Sequence, residues 1–244
     1  MAHAQQLQFV KSIANLLSPD FYSHKIIEIG SANVNGSIRP FFPNSNYLGV
    51  DLSAGPGVDL ICEGDKVPEP DDSFDIAISC ECLEHNPNWA DTFFNMYRMT
   101  KKGGVVIFTC ATTGRPEHGT TRTSPQLSPG TQSLNWDYYK NLTQADFEKI
   151  ADFNKLFSSH FFSVNKFSSD LYFFGYKANH SQSFQISASS LREICNKDQS
   201  AIQSVITKVK KIERFIPKPL RKYLSKIIAR MLRGTSNRRL IKDF

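Results

Sequence analysis

The chain has 244 residues, of which 40% are hydrophobic, and a formal net charge of +6 at pH 7. That length supports one good-sized hydrophobic core with appendages. No stretch reaches the roughly 18 apolar residues of a membrane-spanning helix. The first residues lack a basic region followed by a long apolar run, so no signal peptide is predicted.

The charge is distributed unevenly along the chain. Residues 181–244 hold 15 Lys/Arg against 4 Asp/Glu, a charge of +11, whereas the remainder carries −5. A mildly acidic body is not built to grip nucleic acid. The five cysteines form no CxxC pair, which favours reduced thiols in a cytosolic protein over disulfides or a zinc site. They are Cys62, Cys80, Cys82, Cys110 and Cys195.

The first elements predict a nucleotide-binding unit. Residues 5–17 have apolar side chains at helical spacing and predict a helix lying over a sheet. Residues 25–30 are a short apolar run ending in glycine, which predicts a buried strand and a tight turn. A short helix over residues 35–42 and a second strand over residues 47–52 follow, with Asp51 near the carboxyl end of that strand. This order is the nucleotide-binding half of a doubly wound α/β fold.

The remaining elements complete a sheet. We predict a short edge strand at 58–62, a surface loop at 65–73 and a buried strand at 74–80. A helix at 88–100, a turn at 101–104 and a strand at 105–110 follow. The last predicted elements are a helix at 143–151 with Thr143 as its N-cap and an antiparallel hairpin of 161–167 with 171–177. Alternation of strands and helices predicts a mostly parallel sheet covered by helices.

A long segment, residues 111–141, interrupts this pattern. It is irregular and rich in Gly, Pro, Ser and Thr, and a loop of this length in a compact domain is usually functional or disordered. It contains His118, Trp136, Tyr138 and Tyr139, which favours a binding loop over a linker.

Several motifs between residues 25 and 177 resemble those of class I S-adenosylmethionine (SAM) methyltransferases. They are the Glu28-x-Gly30 turn with Ala32 at the second glycine position, the Asp-rich approach 71–75 to the fourth strand, the SCECLEH stretch at 79–85 and the KKGG turn at 101–104. The NGS turn at 35–37 and the PEHG loop at 116–119 are similar to those of bacterial small-molecule and sugar methyltransferases of the type 11 group. The resemblance implies SAM as cofactor and a doubly wound, mostly parallel seven-stranded sheet whose last strand is antiparallel. We therefore predict a SAM-dependent methyltransferase domain over residues 1–180 and a basic helical extension over residues 181–244.

The resemblance also implies positions for the cofactor. Glu28, Gly30 and Ala32 would line the methionine side, Asp51 would hold the ribose, Leu52 and Glu63 the adenine, and Cys80 the sulfonium region. An acid at the end of a parallel strand has few structural uses, which favours a ligand-binding role for Asp51. For Glu63, a solvated loop acid is an equal alternative.

Methyl transfer to a hydroxyl needs a base or a metal, because a hydroxyl is a poor nucleophile at neutral pH. We predict His118 as base or ligand, with a surface-loop histidine as the alternative, and His85 as a second catalytic candidate. Glu81, Glu84 and His85 stand at i, i+3 and i+4, so a helical turn would direct all three one way. This spacing resembles the metal motif of small-RNA 3′-end and ubiquinone-pathway methyltransferases, with His118 as fourth ligand. The set would hold Mg²⁺, Mn²⁺ or Zn²⁺; alternatively, Glu84 and His85 orient the loop without metal.

Three functions compete at this point. The first is SAM-dependent O-methylation of a small or saccharide acceptor, for example in cell-surface glycan synthesis. The second is a non-catalytic adaptor that keeps the fold and docks through its basic tail. The third, a nicotinamide-dependent oxidoreductase, is disfavoured because G-x-G-x-x-G is missing.

The basic extension has two amphipathic stretches within residues 201–233, separated by Pro217 and Pro219. Basic amphipathic helices lie in membrane interfaces and are drawn there by anionic lipid. This predicts a cytoplasmic protein that binds the inner face of the membrane peripherally. Packing on the body or on a second subunit is the alternative, nucleic acid is a weaker one, and the oligomeric state is left open.

Overall fold

The computed structural model describes residues 4–17 and 21–178, together with residues 190 and 193. Its strands are β1 (Lys25–Ile29), β2 (Asn46–Asp51), β3 (Leu60–Ile61), β4 (Phe74–Cys80), β5 (Thr100–Ala111), β6 (Phe157–Asn165) and β7 (Asp170–Lys177). They form one seven-stranded sheet in the order β3-β2-β1-β4-β5-β7-β6. The pairs from β3 to β5 are parallel, and β7 runs antiparallel to both β5 and β6. The predicted mostly parallel sheet with an antiparallel last strand is confirmed.

Helices cover both faces of the sheet. The described helices are α1 (Ala4–Leu17), α2 (Trp89–Met99), α3 (Pro129–Ser133), α4 (Gln144–Ile150) and α5 (Phe153–Leu156). α1 packs on one face, where the ring of Phe9 stacks on Tyr172 at 4.4 Å between centroids. On the other face, α2, α4 and α5 contribute Phe93, Phe147 and Phe153 to a second core. This arrangement confirms a doubly wound fold.

Neighbouring residues of a strand belong to different cores. In β1, Ile26 packs in the core under α1, whereas Ile27 and Ile29 pack in the core under α2. Side chains of a strand alternate between faces with a period of two. Glu28 therefore shares the α1 side with Ile26.

The predicted helix over residues 35–42 is wrong. Only a 3-10 turn, Arg39–Phe41, forms between β1 and β2 among these residues. Pro40 and Pro43 explain the difference, because each lacks an amide hydrogen and disfavours helical geometry in the residue before it. The connection from β1 to β2 is consequently an irregular segment, which leaves the carboxyl end of β1 uncovered by a helix.

The predicted turn at residues 101–104 lies inside β5. Phe74 of β4 pairs with Thr100, and Ile76 pairs with Val105. Five steps along β5 thus correspond to two along β4, so residues 101–104 bulge out of the ladder. Gly103, with φ +76°, provides the left-handed residue that the bulge needs.

Other predictions about individual elements are confirmed. Thr143 and Asp146 form a full capping box at the start of α4. The closing hairpin is present, and β3 is a two-residue edge strand.

Four cysteines in the described part are free thiols, and Cys195 lies outside it. No helix among the described residues is long and apolar enough to cross a membrane. Apart from residues 190 and 193, the basic extension lies outside the described residues.

Candidate active site

A cavity opens at the carboxyl ends of β1, β2 and β4. It encloses about 650 Å³, part of it open to solvent. Ligands of doubly wound folds bind at this edge of the sheet. The lining comes from the turns after these strands and from the loop after β5: Ile29, Gly30, Ala32, Val34, Val50, Asp51, Leu52, Cys62, Gly64, Glu81, Cys82, His85, Asn86, Leu127, Ser128, Pro129, Gly130, Thr131 and Trp136.

The Asp51 carboxylate is held at the end of β2 by backbone amides. Ala32 N donates to Oδ2 at 2.9 Å and Leu52 N donates to Oδ1 at 2.7 Å. A carboxylate oxygen has two lone pairs, so each can accept one more hydrogen bond. Asp51 can therefore receive the two hydroxyls of a ribose, and it also ties the turn after β1 to the end of β2.

Gly30 brings the turn after β1 close to the segment after β4. Its φ is +84°, and a Cβ there would lie 2.6 Å from Cys82 Cβ. Both the backbone conformation and the close approach require glycine. The missing side chain therefore lets Cys82 pack directly against the turn after β1.

Glu81 stands at the start of the segment after β4, with a left-handed φ of +51°. Its carboxylate accepts hydrogen bonds from Gln6 Nε2 of α1 and from Arg115 Nη2, the latter at 2.9 Å. Arg115 also pairs with Asp170 at 2.9 Å. Because residues 83–85 form only a 3-10 turn after this left-handed residue, the prediction of one helical face for Glu81, Glu84 and His85 is wrong.

Glu84, His85 and His118 come together beside Glu81. Each offers a ligand atom, and these atoms lie within 4.8 Å of one another. Glu84 Oε1 accepts from Ala111 N at 3.0 Å, whereas Glu84 Oε2 and His85 Nδ1 have no hydrogen-bond partner within the described part of the chain. Burial raises the pKa of Glu84 well above its usual value and lowers that of His85 to about 3. Neutral His85 thus presents a lone pair.

His118 packs edge-on against His85, with 4.8 Å between ring centroids. Its Nδ1 lies 3.1 Å from the carbonyl oxygen of Pro116, and its Nε2 lies 3.7 Å from Glu81 Oε2. If Nδ1 carries the proton and donates it to that carbonyl, Nε2 is the free base. Burial lowers the pKa of His118, which favours this neutral form.

Comparison with known proteins identifies one domain. Residues 30–108 match the family model described as a methyltransferase domain. The matched segment, residues 30–108, thus carries a methyltransferase domain of the class I SAM-dependent type. The search of curated protein sequences found no match.

Among solved structures, this chain is similar to Haemonchus contortus phosphoethanolamine N-methyltransferase 2 in complex with SAM. The identity is 16% and the TM-score 0.51, over 70% of this chain and 52% of that one. It is also similar to Burkholderia thailandensis 1,6-didemethyltoxoflavin-N1-methyltransferase with bound 1,6-didemethyltoxoflavin and S-adenosylhomocysteine. There the identity is 13% and the TM-score 0.50, over 72% and 80% of the two chains. The aligned part spans about half the length of the Haemonchus protein, and at these identities the likeness concerns the fold.

Four of the seven cofactor residues predicted for the methyltransferase line the cavity: Gly30, Ala32, Asp51 and Leu52. The structure does not bring Glu28, Glu63 and Cys80 there. Glu63 pairs with Lys66 at 2.6 Å, while its neighbours Cys62 and Gly64 line the cavity.

Glu28 and Cys80 miss the cavity of the methyltransferase for a shared reason. Cys80 packs in the core under α1, and Glu28 accepts a hydrogen bond from Tyr47 Oη at 2.7 Å on that same side. The cavity lies on the other side, next to Ile29 and Cys82. A one-residue error along a strand exchanges the two faces, because the period is two.

The predicted acceptor residues of the methyltransferase divide into two groups. Glu81 and His85 line the cavity, whereas Glu84 and His118 are not part of its lining and lie beside them in the cluster described above. The segment 127–131 was not among the predicted site residues, although the surrounding loop was predicted to be a binding loop. Its Pro-Gly and Ser/Thr content signalled only an irregular backbone, and which wall it would build was decided by packing.

Proposed function

We propose that this chain transfers the methyl group of SAM to a hydroxyl of a small or saccharide acceptor. One observation carries the proposal: a single cavity has the strand-end acid Asp51 on one side and Glu81 and His85 on another. The methyltransferase family match supports the reaction type, and the choice of a hydroxyl acceptor is our own. The two solved relatives described above are both N-methyltransferases, so an amine acceptor is the competing possibility.

The residues present fit the cofactor. Asp51 offers two fixed oxygens to ribose hydroxyls, and Gly30 and Ala32 of the turn after β1 line the same cavity. When bound, SAM supplies a methyl group activated by the neighbouring sulfonium. The protein's contribution is to bind, align and dehydrate the reactants, which accounts for much of the rate enhancement of such reactions.

On the acceptor side, neutral His85, which lines the cavity, would orient the acceptor hydroxyl by accepting its hydrogen bond. The pKa of about 3 makes His85 a weak base, so it serves orientation rather than proton removal. His118 Nε2 would take the proton as the new C–O bond forms and the C–S bond breaks. Glu81, 3.7 Å away and held by Arg115, would stabilise the resulting imidazolium.

A divalent metal is an alternative to this base. Glu84, His85 and His118 would hold it, with Arg115 having taken up the carboxylate of Glu81. Two imidazoles and one carboxylate suit Zn²⁺ or Mn²⁺ better than Mg²⁺, which prefers oxygen ligands. Such a metal would lower the pKa of a bound hydroxyl.

The test compares Asp51, at the end of β2, with Asp59, which directly precedes β3. We expect Asp51→Ala to abolish detectable SAM binding in calorimetric titration. The matched control is Asp59→Ala, since Asp59 also accepts a backbone hydrogen bond, from Gly49 N at 2.7 Å, but does not line the cavity. Thermal unfolding of both variants shows how far the loss of these backbone hydrogen bonds destabilises the fold. Unchanged SAM affinity in folded Asp51→Ala would contradict the assignment of Asp51 to the ribose of SAM.

The non-catalytic alternative has its own outcome. A labelled-methyl screen would offer saccharides, matched amino sugars and small alcohols to the full chain. Label on a hydroxyl supports the proposal, and label on the amino sugars alone replaces O-methylation by N-methylation. Tight SAM binding with no transfer to any acceptor would favour an adaptor that keeps the fold.

A further inference from the structure

Residues 127–136 form a wall of the cavity opposite the sheet. Leu127, Gly130, Thr131 and Trp136 of this wall line the cavity together with Asp51 and Leu52. We infer that this wall is the second half of the cofactor site, with Gly130 seated on Asp51 and Trp136 beside the bound cofactor. The inference rests on the proposed function, because it takes the cavity to hold SAM.

Gly130 brings the wall close to the end of β2. A Cβ at this position would lie 2.8 Å from Asp51 Oδ1 and 3.2 Å from Leu52 Cβ. Its backbone does not have the left-handed conformation that only glycine accepts readily, in contrast to Gly30. Space, and not backbone strain, therefore demands glycine here. Any side chain must push the wall away from Asp51 or enter the cavity.

The wall is an ordered unit. Ser133 Oγ donates to the carbonyl of Gly130 at 2.6 Å, and Trp136 N donates to the carbonyl of Thr131 at 2.9 Å. Thr131 Oγ1 donates to Ser128 O at 2.9 Å. These bonds fix the backbone around Gly130, so a side chain at residue 130 would displace the whole segment.

The wall is also joined to the turn at residues 116–119, which carries His118. Gln132 Nε2 donates to the carbonyl of Gly119 at 3.0 Å, one residue after His118. A Cβ at Gly119 would lie 2.9 Å from His85 Cε1, so this loop packs directly on the acceptor residues. One loop after β5 thus covers Asp51 at one end and carries His118 at the other. The wall would place the cofactor between the sheet and the residues that receive the acceptor.

The first test uses S-adenosylhomocysteine as the probe and the full chain as the protein. We expect Gly130→Val to weaken its affinity in calorimetric titration at least tenfold. The matched control is Gly55→Val, because a Cβ at Gly55 meets no atom within 4 Å. Its affinity should equal that of the wild type. Equal affinity in Gly130→Val and Gly55→Val would overturn the inference.

The second test uses fluorescence and does not depend on how well Gly130→Val folds. The chain has two tryptophans. Trp136 lines the cavity, whereas Trp89 packs on Phe147 at 4.9 Å and lies outside the lining. We expect the emission change on adding S-adenosylhomocysteine to persist in Trp89→Phe and to vanish in Trp136→Phe. A change that depends on Trp89 would overturn the inference.

The outcomes separate the inference from the proposed function. A wild type that binds neither SAM nor S-adenosylhomocysteine contradicts both. In a third outcome the wild type binds S-adenosylhomocysteine and the Asp51→Ala variant fails to bind it, while Gly130→Val keeps the wild-type affinity. That result would support the proposed function and would contradict the role of the wall in the cofactor site.

Discussion

Glu28 is a buried acid in the core under α1. Burial raises its pKa from 4.5 to about 7, although the hydrogen bond from Tyr47 acts in the opposite direction. Between these two values the folded state keeps a proton that the unfolded state has lost. This contribution to stability is therefore complete below pH 4.5 and is lost as pH rises through 7.

We expect Glu28→Gln to remove that pH dependence. The shift corresponds to about 3 kcal/mol at 1.36 kcal/mol per unit, as an order of magnitude. The free energy of unfolding of the variant, relative to the wild type, should rise by roughly this amount between pH 4.5 and pH 8. Urea denaturation at both values measures it, with exposed Glu148→Gln as control. A constant difference would contradict the assigned burial, and a large loss of SAM affinity would restore the role that the sequence predicted.

We expect His118→Ala to reduce kcat by about 10²–10⁴-fold, typical of a lost general base, with little change in SAM affinity. His24→Ala is a close control, because Nδ1 of His24 likewise contacts the carbonyl two residues earlier, at 3.3 Å. Steady-state kinetics with an acceptor found in the screen provides the measurement. If chelation of the wild type reproduces the loss, the metal replaces the base. Full activity after exhaustive chelation excludes the metal, and full activity of the variant excludes His118.

At the scale of single elements, α2 is held on the sheet by the buried side of its helix. Phe93 is fully buried and stacks with Phe153 of α5 at 5.4 Å, whereas its neighbour Phe94 is 37% exposed. Phe93 also meets Phe108 of β5 at 6.1 Å, so one ring joins three elements. The aromatic cluster fixes α2 and α5 on the sheet.

We expect Phe93→Ala to lower the free energy of unfolding by about 3–5 kcal/mol, since the cavity it leaves would not collapse easily. Phe94→Ala on the same helix should cost less than Phe93→Ala, because 37% of Phe94 is exposed and its removal leaves no enclosed cavity. Chemical denaturation of the two variants makes the comparison. Similar losses in both would show that the helix does not present these two faces.

At the scale of the whole molecule, charge separates the body from the basic extension. Residues 181–244 carry +11, and the rest of the chain carries −5. Because most of the extension lies outside the described residues, its binding to membranes stays a prediction. Each basic residue near an anionic surface contributes about 1 kcal/mol, so this charge is sufficient for salt-dependent attachment.

We expect the full chain to sediment with vesicles containing phosphatidylserine at low salt, and a chain ending at Asn179 to remain in the supernatant. Vesicles of neutral lipid are the control for apolar binding alone. Equal sedimentation of the two chains, or of neither, would remove the membrane hypothesis. If neither chain sediments, the alternative is that the extension packs on the acidic body or on a second copy of the chain.

The sequence by itself determined the order and type of the main elements. Glycine turns, apolar runs and the Thr143 capping box are local signals, which explains why β1, β2, β4, α2 and the closing hairpin could be predicted. Through the family resemblance it also implied Gly30, Ala32, Asp51 and Leu52 as cofactor residues, and these four line the cavity at the ends of β1 and β2.

The tertiary structure decided what depends on residues far apart in the chain. The face to which Glu28 points follows from how β1 sits between two cores, and Glu81 is bound by Arg115, 34 residues later. Gly130 meets Asp51 only because the loop after β5 folds back over β2. Such contacts arise from packing of the whole domain, whereas a periodic pattern reports only its own helix or strand.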